Sequence, residues 1–184
     1  MTAPARRRMT SDEFIAWAIE QPDGERYELV AGEVVAMSPE RLSHSRVKHR
    51  IARLLEDAIA AAGLRCEALP DGVAVEIDDH TTYEPDALVR CGEPLPGDTV
   101  KLMDPIIVVE VLSPSTRARD AGAKLEDYFR LPSVRHYLIV KTDTRSVIHH
   151  RKDEVGQIAT RIVRSGELEL APSGLVVEVE ACFL

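Results

Sequence analysis

No apolar run in this chain of 184 residues approaches the ~20 that a membrane-spanning helix needs. Arg6, Arg7 and Arg8 sit near the start, but the stretch that follows them, TSDEFIAWAIEQ, is too charged for the core of a signal peptide. The expected location is therefore cytoplasmic, with no membrane partner. Cysteine is scarce as well: Cys66, Cys91 and Cys182 are scattered, odd in number and form no CxxC pair. Reduced, partly buried thiols are expected, rather than zinc ligands or disulfides. Neither an HExxH helix nor a G-x-x-x-x-G-K phosphate loop occurs, and the absence of a G-x-S-x-G elbow argues against a serine hydrolase. Positive charge is in deficit, with 23 Lys and Arg against 31 Asp and Glu, a net charge of −8. That balance argues against a body wrapped on all sides in nucleic acid, but it leaves room for a local basic face.

What is present is ordinary for a globular protein that buries a real core: 45% hydrophobic and 29% charged residues. The length suits one domain over residues 1–184, with residues 1–9 expected to be flexible. Thr10 and Glu13 form a capping-box pattern ahead of a short helix ending near Gln21. Leu29-Val30 and Val34-Val35 flank Ala31-Gly32 as a β-hairpin. Val47, Ile51, Leu54, Leu55, Ala58, Ile59 and Ala62 then make an apolar stripe at helical spacing, with Ser43 as the expected N-cap and Gly63 as the stop. Off that stripe lie Arg46, Lys48, His49, Arg50 and Arg53. Such a run is ordinarily a solvated helix face. In an acidic protein it also suits phosphate, which makes Arg46, Arg50 and Arg53 candidate nucleic-acid contacts.

Two strands around Pro70-Asp71-Gly72 read as a second hairpin, and Asp78-Asp79-His80 as a turn. Glu84-Pro85-Asp86 leads into another strand, and residues 91–104 read as an irregular loop. A helix from about Arg117 to Leu131 should turn Ala121, Leu125, Tyr128 and Phe129 inward, with Asp120 favoured in its first turn by the helix dipole. HYLIVK (136–141) is a buried strand, and residues 145–151 and 157–163 form a hairpin. Leu168–Leu170 and Leu175–Val179 close the chain as edge strands. The central order of helix, three strands, helix and strand predicts an α/β sandwich (α+β) around a mixed sheet.

Residues 106–112 (IIVVEVL) are apolar and mostly β-branched, apart from Glu110, and so predict a strand buried on both faces. A carboxylate there is costly to desolvate unless a cation sits on it. Asp86 opens one strand and Glu110 lies near the end of the next, so two adjacent strands can present both carboxylates at one sheet edge. A pair of hard oxygen ligands, completed by a backbone carbonyl such as that of Val111 and by waters, suits Mg²⁺ or Mn²⁺. Lys124, on the following helix, has the reach to return over that edge. Two acids and an ammonium match metal-assisted phosphodiester hydrolysis. The alternative for each acid is a structural pairing with an arginine. Ser113 to Thr116 is expected only to shape the turn. His149 and His150, consecutive on a strand, point to opposite faces and make a poor joint metal site.

EPDALV around Asp86, VVEVLSPST around Glu110 and RDAGAKLEDYF around Lys124 resemble the PD-(D/E)xK nuclease signature, with the lysine moved onto the helix. More narrowly, the chain is similar to the Uma-two family of restriction-endonuclease-like bacterial proteins, from YELVAGEVVAMSP through to GLVVEV. The resemblance implies a restriction-endonuclease-like core and a DNA endonuclease, acting as a homodimer, with Asp86 and Glu110 as metal ligands and Lys124 as the catalytic lysine. It also implies roles for Glu28 near the metal or its water and for His44 at phosphate, with Tyr128 packing. One departure is Lys141, where the family strand commonly ends in an acid. The alternative function is a nuclease-fold module without catalysis that binds nucleic acid or a protein partner.

Overall fold

The computed structural model describes residues 8–112, 118–170 and 174–183, and for residues 118–121 it describes the backbone alone. α1 (Ser11–Ile19) begins at the capping box, where Thr10 Oγ1 accepts the Glu13 N–H and the Glu13 carboxylate accepts the Thr10 N–H. The hairpin of β1 (Tyr27–Val30) and β2 (Glu33–Ala36) turns at Ala31 and Gly32. Both have positive φ, 50° and 82°, as a two-residue turn that follows the strand twist requires. Met9 lies beside it, its N–H donating to Gly32 O and its carbonyl facing His80 Nδ1. Residues 1–7 lie outside the described part.

α2 (Leu42–Ala62) buries Val47, Ile51, Leu55 and Ile59 and ends at left-handed Gly63. It starts earlier than expected: Arg41 is the N-cap, not Ser43, and it makes no side-chain capping bond. His44 ties this first turn to the rest of the fold instead, with one ring nitrogen on Glu40 and the other on the Val111 carbonyl.

Pro70-Asp71-Gly72 is not the hairpin turn that its composition suggests. β3 (Cys66–Pro70) pairs with β6 (Ala87–Cys91), whereas β4 (Ala74–Asp78) pairs with β5 (Thr81–Tyr83) in a different sheet. The segment carries the chain between two sheets because Leu69 and Val75, on either side of it, both pack into the cluster the sheets share. The long loop after β6 contains β7 (Lys101–Leu102), which runs parallel to β4. β8 (Ile107–Leu112) pairs antiparallel with β6 and parallel with β9 (His136–Lys141), and the parallel crossover is α3 (Ala118–Arg130). β10 (Ser146–Lys152) and β11 (Ile158–Val163) extend the sheet, giving the order β11-β10-β9-β8-β6-β3. β1, β2, β4, β5 and β7 make the second sheet.

β8 explains the layering. Ile107, Val109 and Val111 face α2 and the C-terminal strands, whereas Val108 joins Leu88, Tyr128, Tyr137 and Ile139 in the cluster shared with α3 and the second sheet. Alternation thus sends Glu110 to the same face as Val108. The expected helix, three strands, helix and strand are α2, β3, β6, β8, α3 and β9, with β4, β5 and β7 inserted. This is the mixed α+β architecture that the periodicities predict. β12 (Glu167–Leu170) and β13 (Leu175–Glu178) do not edge the main sheet; they pair with each other and pack on α2, and a 3₁₀ turn, Glu180–Phe183, follows them.

Cys66 and Cys91 sit directly opposite on β3 and β6 and form a disulfide, whereas Cys182 is buried and free. The expectation of three reduced thiols fails because pairing register, invisible in scattered spacings, brings the two sulfurs together. The cysteines therefore carry no argument for a reducing compartment. The expected turn at Ser113 to Thr116 and the side chains of Asp120 and Ala121 lie outside the described residues. Among the described residues, no helix is long and apolar enough to cross a membrane.

Candidate active site

Ala87 lies opposite Val109, so the next residues outward, Asp86 and Glu110, are neighbours across β6 and β8. The Asp86 N–H donates to Val109 O at 3.0 Å, which holds the segment in register just before β6 begins. Both acids are buried. Asp86 Oδ2 accepts the Val111 N–H at 2.6 Å, and Oδ1 lies 3.1 Å from Lys48 Nζ.

Lys124 reaches the same gap from α3. Its ammonium bridges two carboxylates, Glu28 Oε1 at 2.7 Å and Glu110 Oε1 at 2.9 Å. Tyr128, one turn later on the same helix face, donates its hydroxyl to that Glu110 oxygen at 2.9 Å. Glu28 Oε1 also accepts the Glu84 N–H at 3.0 Å, so the β1 acid is fixed from two sides. The Tyr83 ring lies 5.0 Å below the Lys124 ammonium in a cation–π contact, and its own hydroxyl donates to Asp127 at 2.6 Å.

Burial pushes the Glu110 carboxyl up to about 7, and crowding by Asp86 and Glu28 adds to it against the pull of Lys124. Lys124 moves up too: burial works against its charge, but Glu110 and Glu28 outweigh it. Two carboxylates hold the Lys124 proton, so the lysine is the cation of this cluster. Burial drives the Tyr128 and Tyr137 hydroxyls well above the ordinary tyrosine range, with the nearby Glu110 carboxylate adding to it, so both stay neutral.

His44 stands on the other side of Asp86. Its Nε2 faces the Val111 carbonyl and lies 3.8 Å from Asp86 Oδ2, and its Nδ1 is 2.7 Å from Glu40. Asp86, Glu110, Lys124, Glu28, His44 and Val111 thus converge on one gap. Arg46, Arg50 and Arg53 do not. Helical rotation turns Arg46 and Arg53 to the exposed side of α2, away from His44 and Lys48, and half-buried Arg50 acts electrostatically on Cys182 in the C-terminal turn.

Lys48 belongs to the site, although composition groups it with the solvated basic run. It is 4% exposed, with its ammonium among Asp86, Asp71 and Glu40. Its helical phase was the available signal: it follows Val47 on the apolar side and stands one turn beyond His44. Arg26, on Asp71 and Glu84, closes the outer wall.

The donor set fits a hard divalent ion. Asp86 and Glu110 offer carboxylate oxygens, and a cation between them would offset both the burial and the crowding by Asp86 and Glu28 that push the Glu110 carboxyl up. Among the described residues, no three His, Cys, Asp or Glu side chains close on a metal-sized point. An ion here would be held by two carboxylates with backbone and water completing its shell, a coordination Mg²⁺ favours over all-protein cages.

The fold carrying this gap is restriction-endonuclease-like. The chain belongs to the Uma2 family, described as "Putative restriction endonuclease", whose model matches residues 11–181. An uncharacterized protein of Synechocystis sp. is 28% identical over 96% of this chain and 92% of its own length. A second from the same organism is 24% identical over 83% of this chain and 85% of its own. The crystal structure of "a putative nuclease belonging to DUF820" from Anabaena variabilis superposes with a TM-score of 0.77 over 95% of this chain and 97% of that one, at 15% identity. This likeness supports the fold.

Proposed function

We propose that this nuclease-like protein is a divalent-metal-dependent endonuclease that hydrolyses DNA phosphodiester bonds. The observation that carries the reading is the Lys124 ammonium bridging Glu28 and Glu110, with Asp86 on the adjacent strand. Asp86 and Glu110 would hold Mg²⁺ or Mn²⁺, and the Val111 carbonyl would join them where His44 turns aside. The bound ion would supply Lewis acidity toward a phosphate oxygen and toward the attacking water.

Lys124 acts as a donor and not as a base, because the carboxylates on either side hold its proton. It stabilises charge developing on the phosphate oxygens. Glu28, tied to Lys124 and to the Glu84 N–H, orients the attacking water. His44 contacts the phosphate from the Asp86 side. Arg46, Arg50 and Arg53, where they meet DNA, meet phosphates away from the scissile one and add salt-dependent affinity. Cutting both strands calls for two copies of a single site, so a homodimer is part of the proposal.

The test is plasmid cleavage. Purified protein with Mg²⁺ or Mn²⁺ is expected to nick or linearise supercoiled DNA, and Glu110→Ala to abolish this while remaining folded. Equal behaviour of wild type and variant across both metals would leave a DNA-binding module without catalysis as the better reading.

A further inference from the structure

Asp86 has an unusual partner for a metal ligand. Its Oδ1 lies 3.1 Å from the Lys48 ammonium, which also lies 2.6 Å from Asp71 and 3.0 Å from Glu40. Three carboxylates thus surround one cation, which is anchored from α2 and almost wholly buried. The spacing suits an ammonium, since a divalent ion such as Mg²⁺ draws oxygens to about 2.0–2.1 Å. On the other side of Asp86 lies the gap it shares with Glu110 and Lys124.

In two-metal phosphodiester hydrolases two ions about 3.5–4 Å apart clamp the reacting phosphate, and a shared carboxylate holds both. Asp86 would be the shared carboxylate here, but the Lys48 ammonium already lies against its Oδ1. We propose that Lys48 is a built-in cation occupying the position of a second divalent ion, so that this centre takes one metal ion per chain. The inference rests on the metal reading above and deepens it. Lys48 is thereby a positioning residue: its single charge offsets part of that of Asp86, Asp71 and Glu40, and it leaves Asp86 the side facing Glu110 on which to ligate. Asp71 and Glu40 are about one-third exposed, so the pocket around the ammonium opens to solvent and an ion can enter when the lysine is removed.

The experiment is calorimetric titration of the full chain with Mn²⁺ alone, paired with thermal unfolding in its presence and absence. Wild type and Lys48→Arg are expected to bind one Mn²⁺ per chain. Lys48→Ala, and Lys48→Met as a variant keeping the buried stem, are expected to bind two. They should also melt lower than wild type without metal and recover more of their midpoint than wild type on adding Mn²⁺. A merely structural lysine would lower the midpoint but leave the count at one. Wild type that binds two ions overturns this inference and leaves the metal reading intact, as does Lys48→Ala that binds one with unchanged affinity. Wild type that binds none overturns both. Should neither variant fold, Lys48→Gln, which keeps the stem and a polar end without the charge, is read for the same count, one ion overturning the inference and two supporting it.

Discussion

At the scale of single residues, the centre sets stability against chemistry. Lys124 is the cation for Glu28 and Glu110, so removing it leaves two buried carboxylates facing one another. Lys124→Met is expected to abolish cleavage and to cost about 3–5 kcal/mol, read by denaturant unfolding, as losses from broken buried pairs run. Glu110 behaves oppositely. Its folded carboxyl is pushed up to about 7, above the unfolded value near ~4.3. An acid shifted that way stabilises the fold in its neutral form, and this contribution fades as pH rises from ~4.3 through 7. At pH 8 the carboxylate is mostly charged, so Glu110→Gln, which keeps the oxygen that Tyr128 and Lys124 reach, is expected to melt no lower than wild type while losing cleavage. A clear drop in its midpoint at pH 8 would show that the carboxylate is a net stabiliser.

At the scale of elements, α2 divides its faces by task. Leu55 is 1% exposed in the cluster under β8, whereas Arg53 two residues earlier faces solvent. Leu55→Ala is expected to cost about 2–5 kcal/mol, and Arg53→Ala under about 0.5 kcal/mol, both by chemical denaturation. The β9–β10 pair carries a separate device. His136 Nδ1 is 2.8 Å from His149 Nε2, and Arg161 Nε donates to His149 Nδ1 at 3.2 Å. Neutral His149 therefore carries its proton on Nε2 and donates it to His136. Burial, with His136 and Arg161 adding to it, pushes His149 down to about 3. A histidine lowered in the fold contributes stability in full above its unfolded value near ~6.5, and that contribution is lost as pH falls from there toward 3. Unfolding stability is expected to decline on acidification by up to ~1.4 kcal/mol per pH unit across that window from this group. His149→Phe should flatten the slope.

At the scale of the whole molecule, two clusters share the six-stranded sheet: α2 and the C-terminal strands on one face, α3 and the second sheet on the other. β8 contributes to both. We therefore propose that residues 1–184 form one cooperative domain, and expect far-ultraviolet circular dichroism and tryptophan fluorescence to give coincident transitions. Trp17 reports the second-sheet side through its contact with Tyr27, so a separate early fluorescence transition would divide the molecule in two.

How much of this was legible in the chain varied with the kind of signal. The α2 stripe, the capping box of α1, the hairpin turn at Ala31-Gly32 and the succession of strand β8, helix α3 and strand β9 are local periodicities and turn chemistries, and residue order alone suffices for them. Glu110 inside an apolar run, with Asp86 and Lys124 at strand and helix spacing from it, marked the gap for the same reason: a buried carboxylate demands a cation wherever the chain goes. Pairing across distance was not legible. The passage of Pro70-Asp71-Gly72 between sheets, the meeting of Cys66 with Cys91 and the separate sheet of β12 and β13 depend on which strand lies beside which, a property that register and packing decide together. The same holds for the basic helix. Composition makes Arg46, Lys48, Arg50 and Arg53 one group, but rotation about the helix axis sends Lys48 into a pocket of three carboxylates and leaves Arg46 and Arg53 outside. The sequence by itself determined that Glu110 needs a cation. Only the tertiary structure decided that Lys124 serves it and that Lys48 serves Asp86, because those partners are neighbours in space and not along the chain.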